Sequence, residues 1–249
     1  MEKKITLTAL LCLLFAATIT PSAATAQSVN GYDETRIAAD VTRADSLYKA
    51  EDYSAARDVL APITILDFDK RKYPPSWPKA IHLMGKVFQF GFEKCDLGRY
   101  YYELCVNELH YAPAYYDLGH YWWGNDCSIY HDCGQAFDIW MEGAKKGDAG
   151  CQYEVARVYS FGLVQAGIKG KDYDKGEKYL RMALKQGYPE AYWLMGVYMK
   201  SDLIAIEYYS EWLAYWIEGA KRGSYKCAEA IHYDSKGEHQ FCKQFGLHD

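Results

Sequence analysis

Few residues in this chain are spaced for chemistry. The densest group is the run CSIYHDC, in which Cys127, His131 and Cys133 bring three soft ligands within seven residues. A structural zinc site takes four ligands, and no C-x2-C accompanies the run. Three readings of the pair therefore stay open: a Cys127–Cys133 disulfide, free thiols, or a metal site. Two S-x-x-K strings, Ser46 to Lys49 and Ser76 to Lys79, place a serine one helical turn before a lysine. Neither is joined by the S-D-N or K-T-G elements that a serine–lysine acyl-transfer site needs. No G-x-S-x-G, phosphate-binding glycine loop or H-E-x-x-H is present. Acidic residues are many but scattered, and no general acid/base pair stands out. The expectation is no catalytic residue, no metal and no cofactor.

The elements that would position any site follow from self-similarity. The phrase WMEGAKKG, Trp140 to Gly147, returns as WIEGAKRG, Trp216 to Gly223. Four residues after each glycine stands a small residue, Cys151 and Cys227, and Gly187 leads to Ala191 in the same way. Five residues beyond the small residue stands another: Cys151 to Ala156, Ala191 to Gly196. Upstream, Ala114 to Gly119 and Ala80 to Gly85 repeat the step. The five register points Ala80, Ala114, Cys151, Ala191 and Cys227 are 34, 37, 40 and 36 residues apart. A fixed period of this length marks an array of supersecondary units.

The second half of each unit has helical spacing. Ala136, Trp140 and Ala144 precede Gly147, Leu180 and Leu184 precede Gly187, and Trp212, Trp216 and Ala220 precede Gly223. Steps of three, four and seven lie on one face of an α-helix. Glycine then takes the left-handed turn that ends a helix. Lys145, Lys146, Lys221 and Arg222 fall in the last turn, where positive charge suits the helix dipole. Each unit reads as helix, turn, helix. Arg43 to Leu60 is one more helix pair, after which Pro62, Pro74, Pro75 and Pro78 break the pattern. Apolar Ile63, Ile65, Leu66, Phe68 and Trp77 make that stretch an irregular connection rather than a flexible linker.

The pattern A-x4-G-x2-aromatic, a loop, then A-x3-W-x3-A-x2-G resembles the Sel-one-like repeat of the tetratricopeptide superfamily, over about Arg43 to Ser235. His110 stands where the turn glycine belongs in the first copy, and Glu103 where the aromatic belongs. The resemblance implies an all-α chain folded as a right-handed α-solenoid of antiparallel helix pairs. It also implies a concave face that holds a protein or peptide partner. If the first helices line that face, Tyr116, Tyr153 and Trp193 form an aromatic stripe across three units, with Lys86, His120 and Arg157 beside it and Trp123 one turn on. Aromatic anchors with arginine neighbours make binding hot spots; the alternative is that these rings pack between helices. A self-filled groove and a cell-wall (peptidoglycan) binding or hydrolysing protein are the competing functions. The cysteine-rich secreted branch of the family pairs cysteines in every repeat, and that ladder is absent here.

Residues 1–26 read as a secretory leader: Lys3 and Lys4, an apolar run from Leu7 to Ala17, then Ala24-Thr25-Ala26. The run is shorter than the roughly 20 residues of a membrane span. Residues 27–75 then form an N-terminal segment, 76–235 the repeat array and 236–249 a polar tail. Export places the chain in the periplasm or outside the cell, where disulfides form. Cys95 and Cys105 are placed to clip one helix pair, and Cys227 and Cys242 to tie down the tail. A net charge of −5 without a basic block argues against nucleic acid as partner. With 24 Tyr and 7 Trp against 9 Phe, the rings are amphipathic ones suited to half-wet surfaces.

Overall fold

A computed structural model describes residues 29–69, 72–124, 132–163, 166–167, 170–201 and 211–234. The proposed leader, the tail, Cys127, His131 and Cys242 lie outside the described residues. Eleven α-helices are described: α1 Glu34–Lys49, α2 Tyr53–Thr64, α3 Trp77–Lys86, α4 Cys95–Asn107, α5 Ala112–Trp123 and α6 Cys133–Lys145; then α7 Ala149–Phe161, α8 Tyr173–Lys185, α9 Pro189–Lys200, α10 Glu211–Lys221 and α11 Tyr225–Asp234. A π-helical segment, Val87–Gly91, continues α3. No helix among the described residues is long and apolar enough to cross a membrane.

The register points are where the helices meet. Ala80, Ala114, Cys151, Ala191 and Cys227 are all fully buried. Five residues on, Gly119 lies under the Trp140 indole and Gly196 under that of Trp216; a Cβ on either glycine would fall inside the ring. The indole then donates to a backbone carbonyl on the glycine's helix, one turn before the glycine. Trp140 Nε1 is 3.2 Å from Tyr116 O, and Trp216 Nε1 is 3.0 Å from Trp193 O. In the unit between them, the equivalent positions hold Ala156 and Leu180, both fully buried in one cluster. A larger floor is matched by a smaller side chain in place of the indole, which conserves volume.

The glycine inside the repeated phrase has a separate task. A side chain on Gly143 would meet Cys151 Sγ and Tyr115, and one on Gly219 would meet Cys227 Sγ and Tyr192. The unit that lacks this glycine, with Ala183 instead, also lacks the cysteine and has Ala191. The closing glycines Gly147, Gly187 and Gly223 have φ of +94°, +74° and +93°. Behind each, an amide returns to the carbonyl five residues back: Asp148 to Gly143, Tyr188 to Ala183 and Ser224 to Gly219. His110 also takes a positive φ, +51°, but the amide behind it, Tyr111 N, reaches back one residue further, to Cys105 O. The ring missing at Glu103 is supplied one residue earlier by Tyr102, which packs on Gly85. Aspartate opens five helices by accepting from an amide in the first turn, at Asp33, Asp52, Asp132, Asp148 and Asp172.

Two sequence expectations about the connection change. Pro62 lies inside α2, which runs on to Thr64, and Ile65 is 70% exposed. The rest packs as expected: Ile63, Leu66 and Trp77 are buried, Trp77 Nε1 donates to Ile63 O at 3.1 Å, and Phe68 meets the Trp77 ring edge-on.

Substituting Gly119→Val should lower stability by about 1–3 kcal/mol through overpacking. For a chain of this size that is about 2–4 °C in Tm per kcal/mol, read by circular dichroism. The pair Gly119→Ala with Trp140→Leu, which copies the Ala156/Leu180 unit, should cost less than Trp140→Leu alone; simple additivity would refute the pairing.

Candidate functional site: the row of first helices

Helices α3, α5, α7, α9 and α11 open successive units and touch one another directly, whereas α4, α6, α8 and α10 contact chiefly the first helices. The row of first helices is therefore the inner side of the curve. Side chains confirm the curvature by reaching past an intervening unit. Tyr188, at the start of α9, donates to Tyr116 of α5 at 3.4 Å. Lys226 of α11 donates to the Tyr153 hydroxyl of α7 at 2.9 Å.

Two buried carboxylates tie neighbouring first helices together. His82 Nε2 lies 2.6 Å from Asp117 Oδ2. His120 Nε2 lies 3.3 Å from Glu154 Oε1, and Arg157 Nε donates to Glu154 Oε2 at 2.6 Å. Asp117 and Glu154 each stand three residues after a register point, so the arrangement itself repeats. Burial opposes ionisation of both. For Asp117 the bond and charge of His82, with Lys86 and His120 beyond, outweigh it and hold the carboxyl below its usual range. For Glu154 the bond from His120 and the charge of Arg157 do the same. Neither residue stands out in the sequence, because on one helix each is merely an acidic side chain; the partner arrives from the next unit. The available signal is the common step from the register point.

The structure brings most of the expected stripe together. Tyr116 and His120 rings lie 4.4 Å apart edge-to-face, and His120 meets Trp140 at 5.0 Å. Arg157 lies over Trp123 at 5.0 Å. Trp193 is half-buried and has Lys226 over its ring at 5.4 Å. Tyr153 differs: it is 1% exposed, packed against Tyr188 at 5.5 Å, and belongs to the floor rather than the surface. Burial pushes the phenols of Tyr116, Tyr153 and Tyr188 well up, so all three stay neutral. Sequence reading missed Tyr188 and Lys226, which join the stripe only because the solenoid curves.

The cysteine pairings change. Cys105, Cys133, Cys151 and Cys227 are free, which removes the Cys127–Cys133, Cys95–Cys105 and Cys227–Cys242 bridges. Cys105 is buried beneath α3, with Sγ 3.6 Å from Pro78 O. Cys151 and Cys227 fill the space left by Gly143 and Gly219. Burial drives the Cys105 and Cys151 thiols well up and that of Cys227 up to about 11. Cys95 is disulfide-bonded. The two Ser–Lys strings form no constellation: Ser46 donates to Thr42 O, Ser76 donates to Glu34, and Lys49 pairs with Asp45. Among the described residues no three His, Cys, Asp or Glu side chains are grouped to hold a metal.

The depressed carboxyls make stability depend on acid. A group whose folded pKa lies below its unfolded value contributes above the unfolded pKa and loses that contribution as pH falls through the folded one. Thermal midpoints should therefore drop below about pH 4. Glu154→Gln, which leaves His120 and Arg157 without their carboxylate, should cost about 2–3 kcal/mol at pH 7 and shrink the loss on acidification. A variant with the parent's full acid dependence would remove Glu154 from this role.

No protein-family model and no curated protein matches the sequence. Among solved structures, the chain resembles a Sel1 repeat protein from Oxalobacter formigenes. That match has a TM-score of 0.53 and 21% identity, over 77% of this chain and 74% of the other. A protective antigen of uropathogenic Escherichia coli displaying an SLR fold matches at a TM-score of 0.48 and 17% identity. It covers 79% of this chain, which spans 44% of the antigen. The architecture of stacked antiparallel helix pairs, together with the first of these likenesses, gives the chain the fold of the Sel1-like repeat proteins, an all-α solenoid.

Proposed function

We propose that the chain is an exported scaffold that binds a protein or peptide partner on the inner face of its solenoid. The observation that carries this is the composition of the first-helix row. Partly exposed Tyr116, His120, Trp123, Arg157 and Trp193 stand on a floor fixed by Glu154, Tyr153 and Tyr188. Rigid aromatic and arginine side chains, held before a partner arrives, lose little entropy on binding. Export is supported by the leader-like residues 1–26 and by the disulfide at Cys95, a bond suited to an oxidising compartment.

Cell fractionation of the full-length tagged chain should find it outside the cytoplasm, with Gln27 as its first residue; an intact N-terminus in the cytoplasm would end the export reading. Affinity purification of the exported protein should recover a partner that Trp123→Ala/Trp193→Ala loses by tenfold or more. The control Met182→Ala, on α8 of the outer row, should keep it. Equal recovery by all three would assign the inner rings to packing alone.

A further inference from the structure

The Arg157 guanidinium is committed along one edge only. Its Nε–H donates to Glu154 at 2.6 Å, and its central carbon lies over Trp123 at 5.0 Å and Trp140 at 6.0 Å. The two terminal NH2 groups have no hydrogen-bond partner among the described residues, and 21% of the side chain remains open to solvent. A carboxylate behind and indoles beside it remove most of the rotamer freedom of a long side chain. What remains is a planar fork of N–H donors held in place, and its spacing matches the two oxygens of a carboxylate.

One helical turn along α7 stands Tyr153, whose hydroxyl receives Lys226 Nζ at 2.9 Å. Lys226 also lies over the Tyr153 and Trp193 rings, at 5.2 Å and 5.4 Å, and is exposed. The same face thus offers a second cation with donors to spare. Of the neighbouring carboxylates, Asp117 and Glu154 are sunk behind their imidazoles. Glu190, at the start of α9, is the remaining one whose charge reaches Tyr116, Tyr153 and Tyr188. Between Arg157 and Lys226, then, two of the three carboxylates are taken up by imidazoles, and Glu190 is the one left to balance the two cations.

We infer that the partner presents an acidic peptide segment to this face, with one side-chain carboxylate bidentate on the Arg157 fork between Trp123 and Tyr116. A second acidic group lies on Lys226. This rests on the inner face being the binding face, as proposed above. It adds the chemical class of what binds there and the residue that reads it.

The test is a heteronuclear NMR titration of the whole mature chain with a doubly capped tetraglutamate peptide, with capped tetraglutamine and inorganic phosphate as comparisons. The Arg157 Nε–H and Trp123 indole resonances should move saturably with tetraglutamate and stay in place with tetraglutamine. Arg157→Lys keeps the charge but not the fork, and should weaken the interaction about tenfold, the worth of one charge-assisted hydrogen bond. Lys226→Ala, whose loss strands no buried charge, should weaken it severalfold while the thermal melt remains cooperative. Equal movement with tetraglutamine, unchanged affinity in Arg157→Lys, or a response to phosphate but not to tetraglutamate would each overturn the inference. If partner capture needs Trp123 and Trp193 while tetraglutamate leaves Arg157 unmoved, the binding face stands and its acidic ligand falls. If tetraglutamate binds and capture ignores the tryptophans, the converse holds.

Discussion

An aromatic ring pressed onto a glycine of the facing helix is the contact on which the array depends. Trp140 on Gly119, Trp216 on Gly196 and Tyr102 on Gly85 each need a glycine where the ring lands, because any Cβ there would occupy the same space. That one demand sets the distance between the two helices of a unit. With the distance set, the register residues must be small, since they face the next helix at full burial. The unit that relaxes the demand, with Ala156 and Leu180 buried at the equivalent positions, fits a rule of summed volume rather than residue identity.

The inner face inherits its geometry from that spacing. Because the first helices touch across units, an acidic side chain three residues past the register point reaches an imidazole of the preceding unit. The two resulting pairs, His82–Asp117 and His120–Glu154, lie in line. Buried ion pairs of this kind return little net stability, since each charge must first leave water. Their effect is positional. Glu154 holds the Arg157 guanidinium by its Nε edge and Trp123 lies under its central carbon, so the orientation of an exposed side chain is set by residues buried behind it.

How far the sequence carries can be judged from particular residues. Gly147, Gly187 and Gly223 announce the helix ends because only a left-handed turn requires glycine there, and all three have positive φ. Trp140 and Trp216 announce the core by their seven-residue distance from those glycines. The stripe was partly legible, since Tyr116, His120, Trp123, Arg157 and Trp193 follow from one-helix periodicity. Glu154, Asp117, Tyr188 and Lys226 do not, because their roles come from a neighbour one or two units away. The cysteines misled for a related reason. Cys227 suggests a bridge to Cys242 when read along the chain, but across the helix interface it is a volume that complements Gly219, as Cys151, legible from its register position as a small core residue, complements Gly143.

Stacked-repeat proteins are usually treated as a row in which each unit feels only the one before and the one after, so that stability is a sum of unit and nearest-neighbour terms. The bonds from Tyr188 to Tyr116 and from Lys226 to Tyr153 skip a unit. They add second-neighbour coupling, which a short linear array does not ordinarily possess. The middle of this chain is therefore bound to fray less readily than either end. A unit inserted between α5 and α9 would pull Tyr188 away from Tyr116 and flatten the curve, so the number of units there is fixed by the closure of the inner face.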